Sequence, residues 1–455
     1  MDARNLRRGL RAIVEPAMRE LQVPGVAVGV SHEGRDRCWG WGVTNVEFPL
    51  PVDGDTMFMI GSTTKTFTGT VIMRLVEDGK VRLNAPVVEY LPRFRLPDRE
   101  VAKAVTVNHL VTHTSGWVGD YFDDVGRGND AVARVVARMA TRASQVTPLG
   151  QVWSYNNAGF YVLGRIIEVV TGKPYEDVVR ELVCEPLGME RTMFFAEDVM
   201  AHKHALGHLR SQEGPVVARP WGVHRSAVAA GGMASTASDQ LRYARFHMNG
   251  FDFPGEIRPP LSRKSVATMQ APRAEAGGLA DAVGVTWLLE RAGRRRVVGH
   301  GGSINGQMSA FKMVPALGLA VTVLTNGQWG ALLANRVAEW VLAEVGGVRL
   351  TGPGSRRLSR RAAAAYEGRY RGDPGHIVVR FDNGGLVVHT ELRAETIKEH
   401  PELPDQIPPP VRLTPTGRDR FAADNPVRRA EFLRGPDGVV EWIRWGGRVR
   451  PVIKK

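Results

Sequence analysis

Apolar residues recur at helical spacing from the start of the chain. Leu6, Leu10, Ile13, Val14, Met18 and Leu21 fall on one face and predict an amphipathic helix over residues 3–20. The period then changes. Residues 26–30 form an apolar run, residues 32–36 have turn composition, and residues 38–43 are apolar again, so a hairpin follows the first helix. A long middle section is helical. At its far end residues 297–298, 308–314 and 319–324 read as strands, and residues 331–345 as a helix apolar on one face. Helix and hairpin first, helices in the middle, strands and a helix last: that order suits one sheet completed by both ends of a domain.

Thr351-Gly-Pro-Gly-Ser355 has the composition of a linker, and the texture changes beyond it. Short strands over residues 376–381, 386–390, 429–433 and 439–445 alternate with Gly, Pro and Asp turns, which predicts a small antiparallel barrel or sandwich. The expected division is a catalytic domain over residues 1–350, a linker over 351–360 and a barrel over 361–455. There is no internal repeat, and only the tract Pro404–Pro410 reads as disordered. A chain of 455 residues is long enough for two or three domains.

Composition narrows the function classes. No window approaches eighteen consecutive apolar residues, so no membrane span is expected. The first twenty residues are charged throughout and lack the apolar stretch of a secretory signal, so a cytoplasmic protein is expected. Cys38 and Cys184 fit a reducing compartment. No Cys/His cluster has zinc spacing, and neither metal nor cofactor is expected. The net charge is +13, with a basic excess in the last hundred residues. No basic run is interleaved with aromatics, which argues against nucleic acid. The excess is either a solvated surface or a match to a partner with a negative surface.

Three motifs carry chemistry. Ser62-Thr-Thr-Lys65 precedes an apolar helical face of Phe67, Val71, Ile72, Leu75 and Val76, stopped by Gly79. Ser62 therefore opens a helix and Lys65 lies one turn on, on the same side. A serine hydroxyl needs a neighbouring base, and a lysine is one only when burial or nearby charge lowers its pKa. Ser309 to Lys312 repeats the spacing, but on a strand residues three apart face opposite ways, so it is read as chance. Tyr155-Asn-Asn157 precedes a helix over residues 159–170. A phenol near a lysine is expected to lose its proton more easily and to relay protons, while the Asn157 amide can hold a substrate amide and the lysine together. His300-Gly301-Gly302-Ser303 precedes a strand. Its glycines admit a substrate backbone, and the Ser303 amide could pair with that of Ser62 against an oxyanion. Each motif also has a plain structural reading, as a helix cap, a packed tyrosine and a glycine-rich turn.

The motifs occur together in this order, each on the expected element. With Leu110-Val-Thr-His-Thr-Ser-Gly116 and Gly231-Gly-Met-Ala-Ser-Thr-Ala-Ser-Asp239, the chain resembles the serine β-lactamase and penicillin-binding-protein superfamily over residues 5–350, in the branch of class C β-lactamases, D-peptidases and esterases. The resemblance implies an α+β fold: a mixed antiparallel sheet with flanking helices and an all-helical subdomain. It implies Ser62 as acylated nucleophile, Lys65 and Tyr155 as the base network, Asn157 as a substrate-positioning amide, and His300 where a lysine usually stands. A histidine is only partly charged near neutrality, so it replaces that fixed charge poorly. Tyr366-Glu-Gly-Arg-Tyr370 resembles the opening of the lipocalin-like barrels attached to several relatives. A cytosolic member with such a barrel resembles the penicillin-binding-protein-type thioesterases, which cyclise a nonribosomal peptide at a D-residue from an acidic carrier protein. The alternatives are a cytosolic hydrolase of D-amino-acid peptides, amides or esters, and a non-catalytic binding module. Arg444 and Arg448, four residues apart, would share a face on a regular strand unless the two glycines between them break it; either could read a substrate carboxylate or carbonyl, or both are solvated barrel arginines.

Overall fold

The structure is a computed structural model that describes residues 2–250, 253, 257–350, 354, 356–372, 375–399, 407, 409–423 and 429–453. Most of the linker at 351–355 and of the tract at 404–410 lies outside the described residues.

The first helix, Ala3–Leu21, buries Leu6, Leu10, Val14, Ala17 and Leu21 on one face, and the Asp2 side chain caps it by accepting from the Asn5 N–H. The hairpin Gly25–His32 and Arg35–Gly42 follows. Its inner strand pairs antiparallel with Leu319–Thr325, so the two ends of the domain meet in one sheet. The sheet has eight strands, ordered Arg35–Gly42, Gly25–His32, Leu319–Thr325, Gln307–Val314, Arg295–Ile304, Leu288–Ala292, Ala282–Val283 and Ala274–Glu275. Helices Ala3–Leu21 and Gly330–Gly346 cover one face through Leu10, Val14, Val28, Val321, Val337 and Val341. The other face packs on the helical insertion through Phe67, Val71, Ile72, Phe160, Trp287 and Phe311.

One detail of register positions the site. Strand Arg295–Ile304 pairs with Leu288–Ala292 only as far as Gly299 opposite Leu288. From His300 to Ile304 its outer edge has no strand partner among the described residues, and that edge lies beside the turn carrying Ser62.

The C-terminal body is an eight-stranded antiparallel barrel in sequence order from Gly368–Tyr370 to Arg448–Pro451. It closes where the Arg371 N–H donates to the Pro451 carbonyl and the Ile453 N–H to that of Arg369, each at 2.8 Å. Tyr366, Tyr370, Phe421, Phe432 and Ile443 fill it. Arg444 and Arg448 do not share one strand. Gly446 and Gly447, at φ 56° and 78°, make a two-residue turn between Val440–Trp445 and Arg448–Pro451, so the arginines sit on opposite strands of a hairpin. Among the described residues no helix is long and apolar enough to cross a membrane.

Candidate active site

The turn Gly61–Thr63 leads into helix Thr64–Glu77. Gly61 takes φ 50°, and a Cβ there would lie 2.7 Å from the Ser303 nitrogen. That close approach brings the nucleophile turn against the free strand edge. Ser62 is half-buried at the cavity wall, while Lys65 is fully buried on the same helix.

Lys65 Nζ lies 3.0 Å from Ser62 Oγ and donates at 2.5 Å to the Ala230 carbonyl. Burial holds its pKa well below the ordinary lysine value; Arg448 pushes the same way and Asp120 opposes it. Among the described residues no carboxylate touches the amine, so it is held toward the uncharged, basic form.

Tyr155 is buried, its ring stacked on His113 at 4.5 Å between centroids, and its N–H donates to the Gly447 carbonyl at 2.8 Å. Burial raises the phenol pKa, against smaller opposing effects of Ser62 and Arg448. The expectation of an easily ionised tyrosine is therefore corrected: Tyr155 is a neutral phenol. Its hydroxyl faces Ser62 but makes no hydrogen bond of ordinary length among the described residues.

His300 is also corrected. Its Nδ1–H donates to the Gly301 carbonyl at 2.6 Å, which leaves Nε2 as a buried, unpartnered acceptor. Burial, with Lys65 nearby, lowers its pKa to about 3, so it is neutral rather than partly charged. Gly301, Gly302 and Ser303 continue the bare edge; a Cβ on Gly302 would run into the Ile60 carbonyl oxygen.

Asn157 does not bridge to Lys65. Its Nδ2 donates to Asp120 at 2.6 Å. Asp120, which carries no motif, also accepts from Arg448 Nε at 2.7 Å and Nη2 at 3.4 Å. Arg448 lies over the Tyr155 ring, 4.6 Å from its centroid, so the barrel hairpin forms part of the site. Arg444 lies elsewhere. It donates to the Trp153 carbonyl at 3.0 Å and the Gly277 carbonyl at 3.3 Å and pairs with Glu431, behind the wall rather than on it. Ser309, the second serine with Ser-x-x-Lys spacing, is tied to the Ile60 carbonyl and Thr63, and Lys312 turns away to Glu290.

Ser62, Tyr155, Asn157, His300 to Ser303 and Arg448 line one cavity of about 490 Å³, with Phe122, Val223, Leu279 and Phe311 among its apolar walls. That volume suits a small ligand or the end of a peptide. Sequence reasoning missed Asp120 and His113, which hold cavity residues from behind through Asn157, Arg448 and Tyr155; His113 lay within a recognised stretch, whereas nothing local marked Asp120. Among the described residues no group of three or more His, Cys, Asp or Glu side chains is placed to hold a metal ion.

This constellation can activate a serine and stabilise a tetrahedral adduct. The Beta-lactamase family model matches residues 10–343. Penicillin-binding protein 4 of Amycolatopsis lactamdurans is 35% identical over 340 residues, covering 73% of this chain and 88% of that protein. The crystal structure of SurE with D-Leu superposes with a TM-score of 0.73 at 26% identity, over 99% of this chain and 100% of the other. The D-amino acid amidase of Ochrobactrum anthropi SV3, complexed with L-phenylalanine amide, gives 0.64 at 25% identity over 75% and 99%. The chain belongs to the β-lactamase and penicillin-binding-protein family of serine hydrolases and acyltransferases.

Proposed function

We propose that this protein takes the acyl group of a carrier-bound peptidyl thioester onto Ser62 and releases it by head-to-tail macrolactamisation at a D-residue. The observation that carries the acyl-enzyme is the buried Lys65 amine, 3.0 Å from Ser62 Oγ with no carboxylate in contact. In this reading Lys65 accepts the serine proton as Oγ attacks the thioester carbonyl. The Ser62 and Ser303 N–H groups receive the oxyanion. The thiolate leaves and takes the proton back. The amine of the same peptide then attacks the ester, Lys65 receives its proton, and Ser62 recovers one as the ring closes.

Two further points favour a neutral donor such as a thioester. Tyr155 and His300 are uncharged, and the cations Arg448 and Lys312 on the cavity wall each face a carboxylate, Asp120 and Glu290. A donor with a free carboxylate beside its scissile bond finds the neutral His300 there rather than a fixed positive charge, which disfavours β-lactam turnover. The likeness to D-Leu-bound SurE runs through the barrel, the part that supplies Arg448. The net charge of +13 suits an acidic carrier protein as partner, met in the cytosol.

The second reading is a hydrolase of D-amino-acid amides, peptides or esters, supported by the likeness to D-amino acid amidase. It uses the same residues with water as acceptor. A synthetic peptidyl thioester ending in a D-residue, and its L-epimer, would be incubated with the protein and analysed by mass spectrometry. Cyclic product from the D-epimer alone is expected. Exclusive hydrolysis across several peptides with free amines would move the protein to the second reading. A stable Ser62 adduct without turnover of any donor would leave only a binding module.

A further inference from the structure

Asp120 sits where the two bodies meet. Its carboxylate holds Asn157 Nδ2 at 2.6 Å and the Arg448 guanidinium at 2.7 and 3.4 Å. A carboxylate only accepts, so the part of the Asn157 amide that faces it is the NH2. That fixes an orientation that an asparagine otherwise leaves ambiguous. The Asn157 side-chain oxygen then accepts from no donor among the described residues, while its residue lines the cavity with Ser62 and Tyr155. Lys65 does not need that oxygen, being engaged by Ser62 and Ala230. A free acceptor beside the nucleophile matches a donor group on the substrate, and the nearest one on a peptidyl ester or thioester is the backbone N–H of its last residue.

We propose that Asp120 is a positioning residue of the acyl transfer: by gripping the Asn157 NH2 and the Arg448 guanidinium together, it presents the Asn157 oxygen to the backbone N–H of the acyl donor. The inference rests on the acyl-transfer reading, but not on whether water or an amine releases the product. Asp120 also ties the barrel hairpin over Tyr155, so one carboxylate sets both the amide orientation and the placement of the wall.

The test compares single-turnover acylation with two thioesters of a peptide ending in a D-residue, one with its last backbone N–H intact and one N-methylated there. Wild type is expected to acylate with the N–H donor about tenfold faster, the worth of one hydrogen bond in a closed site. Asp120→Asn frees the Asn157 amide to turn, and is expected to slow the N–H donor about tenfold more than the N-methyl donor, so discrimination disappears, whatever slowing the two donors share from the loosened hold on Arg448. If the single variant folds poorly because Arg448 is left unpaired, Asp120→Asn/Arg448→Met removes both charges and is expected to fold and still not discriminate. Equal slowing of both donors, with discrimination intact, would mean that Asp120 is merely structural and would overturn the proposal. So would a wild type that treats the two donors alike. No acylation of wild type by either donor would overturn the acyl-transfer reading itself, whereas acylation without discrimination removes only the role of Asp120.

Discussion

Replacing Arg444 by methionine separates a structural arginine from a substrate-reading one. The guanidinium is shared by the Trp153 and Gly277 carbonyls and by Glu431, with side-chain exposures of 6% for Arg444 and 12% for Glu431. Breaking a buried pair by removing one partner costs about 3–5 kcal/mol, because a charge and its acceptors are left without donors. Glu431 keeps Arg420 Nε at 3.1 Å, and Arg420 is largely exposed, so the lower end, about 3 kcal/mol, is expected. With a urea slope of about 1–3 kcal/mol/M, the transition midpoint should fall by roughly 1–3 M. Trp153, whose ring lies 5.8 Å from the guanidinium, should report it by fluorescence. In the folded fraction kcat/KM for a D-terminated thioester should stay within about threefold of wild type, since no transition-state contact is lost. A well-folded Arg444→Met protein with an unchanged midpoint and little turnover would refute this and return Arg444 to the substrate.

Ser62→Ala should abolish labelling by a fluorophosphonate probe while Ser309→Ala keeps it; labelling at Ser309 would overturn the assignment of the nucleophile. Lys65→Ala should lose on the order of a hundredfold or more in acylation rate, as lost base catalysis does. Lys65 has its pKa lowered by folding, so the unfolded chain binds the extra proton and stability rises with pH between the folded and unfolded values. Lys65→Met should therefore melt higher than wild type at neutral pH, with a gap that closes toward pH about 10.4; a gap independent of pH would show that the amine is not held neutral. His300, lowered to about 3, should contribute no inflection to kcat/KM between pH 5 and 8, and an inflection near 6.5 that vanishes in His300→Asn would contradict its burial.

The architecture was legible wherever the signal is local. The helix over 3–20 appears as Ala3–Leu21 because its apolar stripe is long and periodic. The strands at 308–314 and 319–324 appear as Gln307–Val314 and Leu319–Thr325 because both are largely apolar runs bounded by turns. The short strands Ala274–Glu275, Ala282–Val283 and Leu288–Ala292 carry no such run and were not foreseen. At the site, Ser62 and Lys65 are one helical turn apart, so their meeting could be read from spacing. Asp120 and Arg448 are 328 residues apart, and only docking of the barrel brings them together. Protonation was misread for Tyr155 and His300 for a related reason: a motif names a group, but the burial that sets its charge comes from distant chain. For Arg444 and Arg448 a shared face held only on a regular strand, and the two glycines between them, visible in the sequence, make the turn that separates them.

The neutral state of the site follows from how its few charges are balanced. Burial alone favours uncharged Lys65, Tyr155 and His300. The Asp120–Arg448 pair then acts on Lys65 in opposite directions, the arginine lowering its pKa and the aspartate raising it. The two charges come from different bodies, Asp120 from the catalytic body and Arg448 from the barrel. Were the barrel withdrawn, Asp120 would remain and Arg448 would be gone, and Tyr155 would lose its backbone bond to Gly447. The unopposed aspartate would raise the pKa of Lys65 toward the protonated form, in which it cannot accept the serine proton. The barrel therefore contributes more than a wall: through the hairpin that borders the cavity, its Arg448 offsets the pull of Asp120 on the amine beside Ser62.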